Sequence, residues 1–134
     1  MLGEQIYDAH GKRTGRRVLS VDGGGFRVEV SFEASGKLLG FESFEIGTYG
    51  SESRPDGTLY GEGQGVVPTP DAGMATWKAG GVGKFVGGGA VNYRGAVYFS
   101  TASPQFARLN AVAAVFEYDL DVEGNTRIKL WEWK

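Results

Sequence analysis

Between Gly57 and Gly89 the chain places 11 glycines in 33 residues, and their spacing limits the possible folds more than any other feature. In Tyr60-Gly61-Glu62-Gly63-Gln64-Gly65-Val66-Val67, glycine takes every second position up to Gly65. Side chains alternate across an extended strand, so one face of this segment is bare. A bare face marks tight curvature, close approach of another backbone, or an emptied interior. All three belong to a small closed β-barrel. A second run, Ala79-Gly80-Gly81-Val82-Gly83-Lys84-Phe85-Val86-Gly87-Gly88-Gly89, lies between Trp77 and Tyr93. A phosphate-binding glycine loop has to sit between a strand and a helix N-terminus. No helical pattern follows here, so the glycines read as barrel curvature and backbone contact.

Strand-like runs separated by turn chemistry recur along the whole chain. Gln5–Ala9 is a short first strand, with His10-Gly11-Lys12 and Thr14-Gly15 as a polar turn, and Arg16–Val21 is a second strand. After Asp22-Gly23-Gly24-Gly25, the run Phe26–Glu33 alternates cleanly, which predicts Phe26, Val28, Val30 and Phe32 on a buried face. Ser35-Gly36 is expected to turn into a long strand, Leu38–Tyr49. Arg54-Pro55-Asp56-Gly57 is a tight reversal. Thr58–Val67 is expected to end at Pro68-Thr69-Pro70-Asp71, because proline cannot continue the pairing. Met74–Gly81 follows with Lys78 on its wet face and Ala75, Trp77 and Ala79 on the other. Val91–Thr101 is next, and Ser103–Asn110 is the one candidate helical turn. Ala111–Asp121 and Thr126–Trp133 form a closing hairpin across Glu123-Gly124-Asn125. Eight or nine strands at this spacing predict an all-β antiparallel barrel or sandwich, with residues 1–134 as one domain.

Composition removes several function classes. There is no cysteine, so disulfides, thiolate metal sites and cysteine nucleophiles are absent. A net charge of −2 gives no basic face for nucleic acid. No apolar run reaches the roughly 20 residues that span a bilayer. The first residues, Met1-Leu2-Gly3-Glu4-Gln5-Ile6, lack the basic and apolar regions of a signal peptide. A cytoplasmic protein with no membrane partner is the expectation. His10 is the only histidine, and one histidine builds neither a histidine-rich metal site nor a triad by itself. No metal and no cofactor are expected.

The carboxylates of interest alternate with glycine or apolar residues. Glu62 shares a face with Tyr60 and Gln64, Glu42 with Gly40 and Phe44, and Glu117 with Ala111, Ala113 and Val115. Inside a barrel such a carboxyl has a raised pKa and serves as general acid or base. Facing solvent, or paired with Arg94, Arg108 or Lys84, it is an ordinary strand residue. Tyr60, Trp77, Tyr93 and Tyr98, with Tyr49, are candidates to line an apolar lumen with a few hydroxyls. A slip of one residue exchanges the two faces of Thr58–Val67. At the C-terminus, Trp131 and Trp133 share a face with Arg127 and Lys129, which suggests a covered surface between subunits.

The run Gly80–Ala90 resembles the glycine–phenylalanine signature of allene oxide cyclases and dirigent proteins, over the middle third of the chain. Arg54–Gly65 and Ala102–Asn110 look like a family of small uncharacterised bacterial proteins of the same allene-oxide-cyclase-like, calycin- and dirigent-related barrel superfamily. That likeness extends over nearly the whole chain. The resemblance implies an eight-stranded antiparallel barrel with an internal cavity, commonly a homo-oligomer, here a dimer or trimer. Relatives of this fold shape apolar substrates with few polar contacts and share no common nucleophile or cofactor. The expectation is a small-molecule-binding barrel holding an apolar or amphipathic ligand. The alternatives are a cofactor-independent isomerase or cyclase and a structural oligomer with a filled barrel. Glu62 is the candidate acid or base, and Tyr60, Gln64, Trp77, Tyr93, Tyr98 and Glu117 are the candidate ligand contacts.

Overall fold

Turns between consecutive strands leave a sheet with a first and a last strand, and this chain joins those two by closing the sheet on itself. The computed structural model describes residues 1–134. It contains β1 (Leu2–Asp22), β2 (Gly25–Leu38), β3 (Phe41–Ser53), β4 (Leu59–Thr69), β5 (Gly73–Phe85), β6 (Val91–Thr101), β7 (Ala113–Leu120) and β8 (Asn125–Trp133). A 3₁₀ helix, Pro104–Ala111, links β6 to β7. Each strand pairs antiparallel with the next and β8 pairs with β1, giving a closed eight-stranded barrel. No helix is long and apolar enough to cross a membrane.

β6 occupies the residues expected of it, and the closing hairpin and helical turn lie where the sequence puts them. Three expectations are corrected. The turn expected at His10–Gly15 does not form, because β1 runs unbroken through it with a register shift between Arg13 and Gly15. Gly11 is needed for proximity rather than for a turn: a Cβ there would lie 1.9 Å from the Glu33 carbonyl oxygen. Ser35-Gly36 likewise stays within β2, where a Cβ on Gly36 would lie 2.0 Å from the Asp8 carbonyl oxygen. The reversal instead uses Leu39 and Gly40, both at positive φ (50° and 83°), as a two-residue turn matching the twist of its strands requires. Pro68 does not end β4, since it remains opposite Met74, and the chain turns at Pro70–Ala72.

An eight-stranded barrel has an interior just wide enough for side chains to fill. The bare face of β4 points into it: Gly61, Gly63 and Gly65 are in phase with buried Leu59 and Val67. The room they leave is taken by aromatic rings from neighbouring strands. A Cβ would lie 2.5 Å from the Trp77 ring at Gly65, 2.6 Å from the Phe32 ring at Gly47 and 2.7 Å from the Tyr93 ring at Gly83. The end of the barrel nearest the 3₁₀ helix is stoppered by Phe106 and Leu109, both fully buried, with Phe106 perpendicular to Phe41 at 5.6 Å.

The β1–β8 seam is bridged outside by Arg127, whose Nε and Nη2 donate to the two Asp8 carboxylate oxygens at 3.0 and 3.1 Å. In β8, Ile128 and Leu130 point inward, while Trp131 and Trp133 face outward. The β1–β8 pairing ends at Lys12–Asn125, yet β1 continues to Asp22 paired with β2 alone. Phe26 and Val28 lie on the inward-facing side of β2, as the alternation predicts. They sit in this overhang beyond the rim, so Phe26 is exposed and Val28 half-buried, unlike buried Val30 and Phe32.

Gly65→Ala is expected to lower stability by about 1–3 kcal/mol, because the added methyl overpacks against the Trp77 ring. Gly15→Ala, with nothing within 4 Å of its Cβ position, should leave the denaturation midpoint unchanged or slightly raised. Chemical denaturation of the two variants checks both.

Candidate functional site

Parity decides which side chains enter the lumen. Gly47 has to face inward, since the Phe32 and Trp77 rings occupy the space beside it. Alternation then turns Ser43, Glu45 and Tyr49 inward as well, and leaves Phe44 and Ile46 outside at 38% and 45% exposure. β3 is thus inverted relative to its own hydrophobic pattern, and a carboxyl enters an apolar interior. Glu45 is only 4% exposed.

The Tyr7 hydroxyl donates to Glu45 Oε1 at 2.8 Å. Burial pushes the Glu45 carboxyl up to about 7, against the opposing pull of the Tyr7 hydroxyl and the Trp77 indole N–H. The indole N–H is nevertheless too poorly placed to form a hydrogen bond. Burial, reinforced by the neighbouring Glu45 charge, raises the Tyr7 phenol far above its ordinary value. A carboxyl poised near neutrality beside a phenol that stays protonated is able to accept or release a proton at physiological pH.

These groups border an internal cavity of about 70 Å³, whose walls include Phe32, Val97, Phe99, Phe116 and Ile128 together with the backbone of Gly61, Gly63 and Gly81. Tyr49, Tyr93 and Tyr118 meet edge-to-face, with ring centroids 5.4–6.0 Å apart. The Tyr93 hydroxyl is hydrogen-bonded to Ser51 Oγ at 2.6 Å. The hydroxyls of Tyr49 and Tyr118 are buried without a hydrogen-bond partner, as is Trp77 Nε1. Desolvation raises the pKa of both tyrosines, so they remain neutral donors. Buried polar groups are almost always paired in folded proteins, so three such atoms around one cavity single it out as the candidate site.

Of the residues singled out from sequence, Trp77 and Tyr93 line this cavity with their side chains. The others have their side chains on the outer wall, although Glu62 also borders the cavity. Tyr60, Glu62 and Gln64 occupy the face of β4 opposite the glycines, where the Tyr60 hydroxyl donates to Glu62 Oε1 at 2.7 Å. Tyr98 is exposed on β6. Glu117 is half-exposed and lies 4.0 Å from Arg94 Nε, while Arg94 Nη1 is 2.8 Å from Asp119. The lumen placement expected for Tyr60, Glu62, Gln64, Tyr98 and Glu117 is therefore corrected. Leu59 and Val67 fix the phase of β4, and Ala114, Phe116 and Tyr118 fix that of β7. Sequence reasoning passed over Glu45 and Tyr7. The available signal was cross-strand: Gly47 lies opposite Gly65, so an inward Gly65 places Glu45 inward two residues away.

No protein-family profile matches the chain, and neither does any curated protein. Solved structures do match. A protein of unknown function from Clostridium acetobutylicum superposes with a TM-score of 0.83 at 15% identity, covering 98% of each chain. A β-barrel-like protein from Acinetobacter baumannii gives 0.82 at 14% identity, over 100% of this chain and 96% of that one. An enzyme from Penicillium herquei gives 0.65 at 17% identity, over 96% and 92%. This chain has the fold of small eight-stranded barrels. At these identities the likeness extends to the fold alone.

The Glu45 carboxyl makes stability depend on pH in a definite direction. Its folded pKa of about 7 lies above the ordinary 4.5, so the folded state holds its proton more tightly than the unfolded state. Its contribution is fully present below about pH 4.5 and is lost as pH rises to 7, by on the order of 3 kcal/mol. Glu45→Gln keeps an acceptor for Tyr7 and removes the titration. Unfolding midpoints measured from pH 4.5 to 8 are expected to fall for the natural protein and to lose that fall in the variant.

Proposed function

We propose that the barrel holds a small apolar or amphipathic molecule in its lumen and orients it through one hydroxyl or carbonyl group. The observation that carries this reading is the protonatable Glu45 carboxyl facing an apolar cavity beside three buried, unpartnered polar atoms, Trp77 Nε1 and the Tyr49 and Tyr118 hydroxyls. An apolar wall with a few convergent polar groups is the usual anatomy of a small-molecule site. The cavity is smaller than the roughly 300–1,000 Å³ of common ligand pockets, which favours a compact ligand. The resemblance to the allene-oxide-cyclase-like superfamily supports the same reading, since its barrels enclose a cavity.

The acid or base role assigned to Glu62 from sequence passes in this reading to Glu45, because the Glu62 side chain is exposed on the outer face of β4 while Glu45 is buried. A second reading, a cofactor-independent isomerase or cyclase, rests on that carboxyl. A group with a pKa near 7 is matched to donating a proton to a substrate and taking one back. That one protein of this fold is an enzyme adds support at the level of fold only.

Native mass spectrometry of freshly purified protein, followed by denaturing extraction, tests the binding reading. A retained apolar molecule with one hydroxyl or carbonyl is expected. Its occupancy should fall at least tenfold in Glu45→Gln and stay unchanged in Glu62→Gln. Empty protein, or equal loss in both variants, counts against a lumen site. Incubating the extracted molecule with the protein in D₂O separates the two readings: a carrier returns it unlabelled, whereas an isomerase acting through Glu45 washes deuterium into a carbon position.

A further inference from the structure

The overhanging half of β1 is the one long strand segment that barrel closure leaves unpaired on one side. From Thr14 to Asp22 its hydrogen bonds run to β2, and no strand lies along its other edge. An open edge of this length is a template for another strand. It also carries exposed apolar side chains, with Val18 and Val21 at 63% and 75% exposure.

The order of residues along this edge specifies a partner. The register shift between Val18 and Ser20 makes Leu19 an extra residue in the strand. Val18 lies opposite Val28, and Val21 lies opposite Phe26. Val28 and Phe26 share a face of β2, so Val18 and Val21 share a face of β1 although they are three positions apart. Arg17 and Asp22 both project from the opposite face, opposite Glu29 and Gly25. The segment Arg17-Val18-Leu19-Ser20-Val21-Asp22 is therefore complementary to itself when reversed. Set antiparallel about a two-fold axis between Leu19 and Ser20, Arg17 meets Asp22 of the second copy, and Val18 meets its Val21. Both pairs then fall on matching faces, as cross-strand neighbours must. Without the bulge, the valines would point to opposite faces and the match would fail.

We propose that the Arg17–Asp22 edge of β1 pairs with the same segment of a second copy of this chain, joining two barrels through an isologous two-fold contact. Each copy contributes the arginine to one ion pair and the aspartate to the other. Arg17 already lies 3.3 Å from Glu29 of its own β2, so it bridges two carboxylates across the joint. The apolar side of the overhang becomes a four-strand surface with the valine pairs at its centre.

Sedimentation velocity of the full chain over a concentration series tests this. A dimer is expected. Arg17→Asp should weaken it by about tenfold or more, because two symmetry-related pairs become repulsive together. The double variant Arg17→Asp/Asp22→Arg should restore it, which a loss of folding would not do. Val21→Lys should give a monomer with an unchanged circular dichroism spectrum. A monomer at every concentration overturns the proposal. So does a dimer that survives Arg17→Asp and dissociates on Trp133→Ser, since that assigns the joint to the outward tryptophan face of β8.

Discussion

Steric exclusion between aromatic rings and the Cβ atoms that glycine lacks organises the inside of this barrel. Eight strands turn many inward positions toward one narrow lumen, and full-sized side chains at all of them would not fit. The chain answers with pairs, a bare position on one strand beside a large ring on a neighbour. Gly65 faces Trp77, Gly47 faces Phe32, and Gly83 faces Tyr93. The rings then tile the lumen at centroid distances of 5.3–6.4 Å, mostly edge to face. Such contacts stabilise beyond the apolar area they bury.

The polar chemistry of the lumen follows from the same packing. Gly47 is held inward by two rings, and two residues earlier on that face stands Glu45. The fold accommodates a group that burial makes unwelcome in ionised form, and it supplies one firm donor, Tyr7. Well-packed interiors seldom keep a carboxyl of this kind unless it is fully paired. Here it borders a cavity with further unpartnered donors, which is the observation the proposed ligand site rests on.

How far the sequence could be read depended on whether its signals were local. β6, the closing hairpin and the helical turn announce themselves through alternation and turn residues, and they lie where expected. β1 does not, because His10-Gly11-Lys12 has the chemistry of a turn while Gly11 serves close contact with β2. Pattern alone also inverts β3: its apolar Phe44 and Ile46 face outward and its Ser43 and Glu45 face inward. Glu62 was attractive for its glycine neighbours, yet those glycines own the inner face, as Leu59 and Val67 of the same parity indicate. The face of a strand is a property of its partners, and where apolar residues stand on both faces only the register decides.

The seam between β1 and β8 has a kinetic meaning. Asp8 and Arg127, which meet across it, are 119 residues apart in the chain. Joining such distant segments closes a loop of nearly full length, and topologies dominated by contacts of this range fold slowly. Without the β1–β8 pairing the strands would make an open sheet, and the glycine-backed wall of β4 would face no enclosed lumen. The lumen is enclosed only when that pairing is made. A ligand bound there, as proposed, would favour the closed barrel over the open one by mass action, which links binding to seam closure.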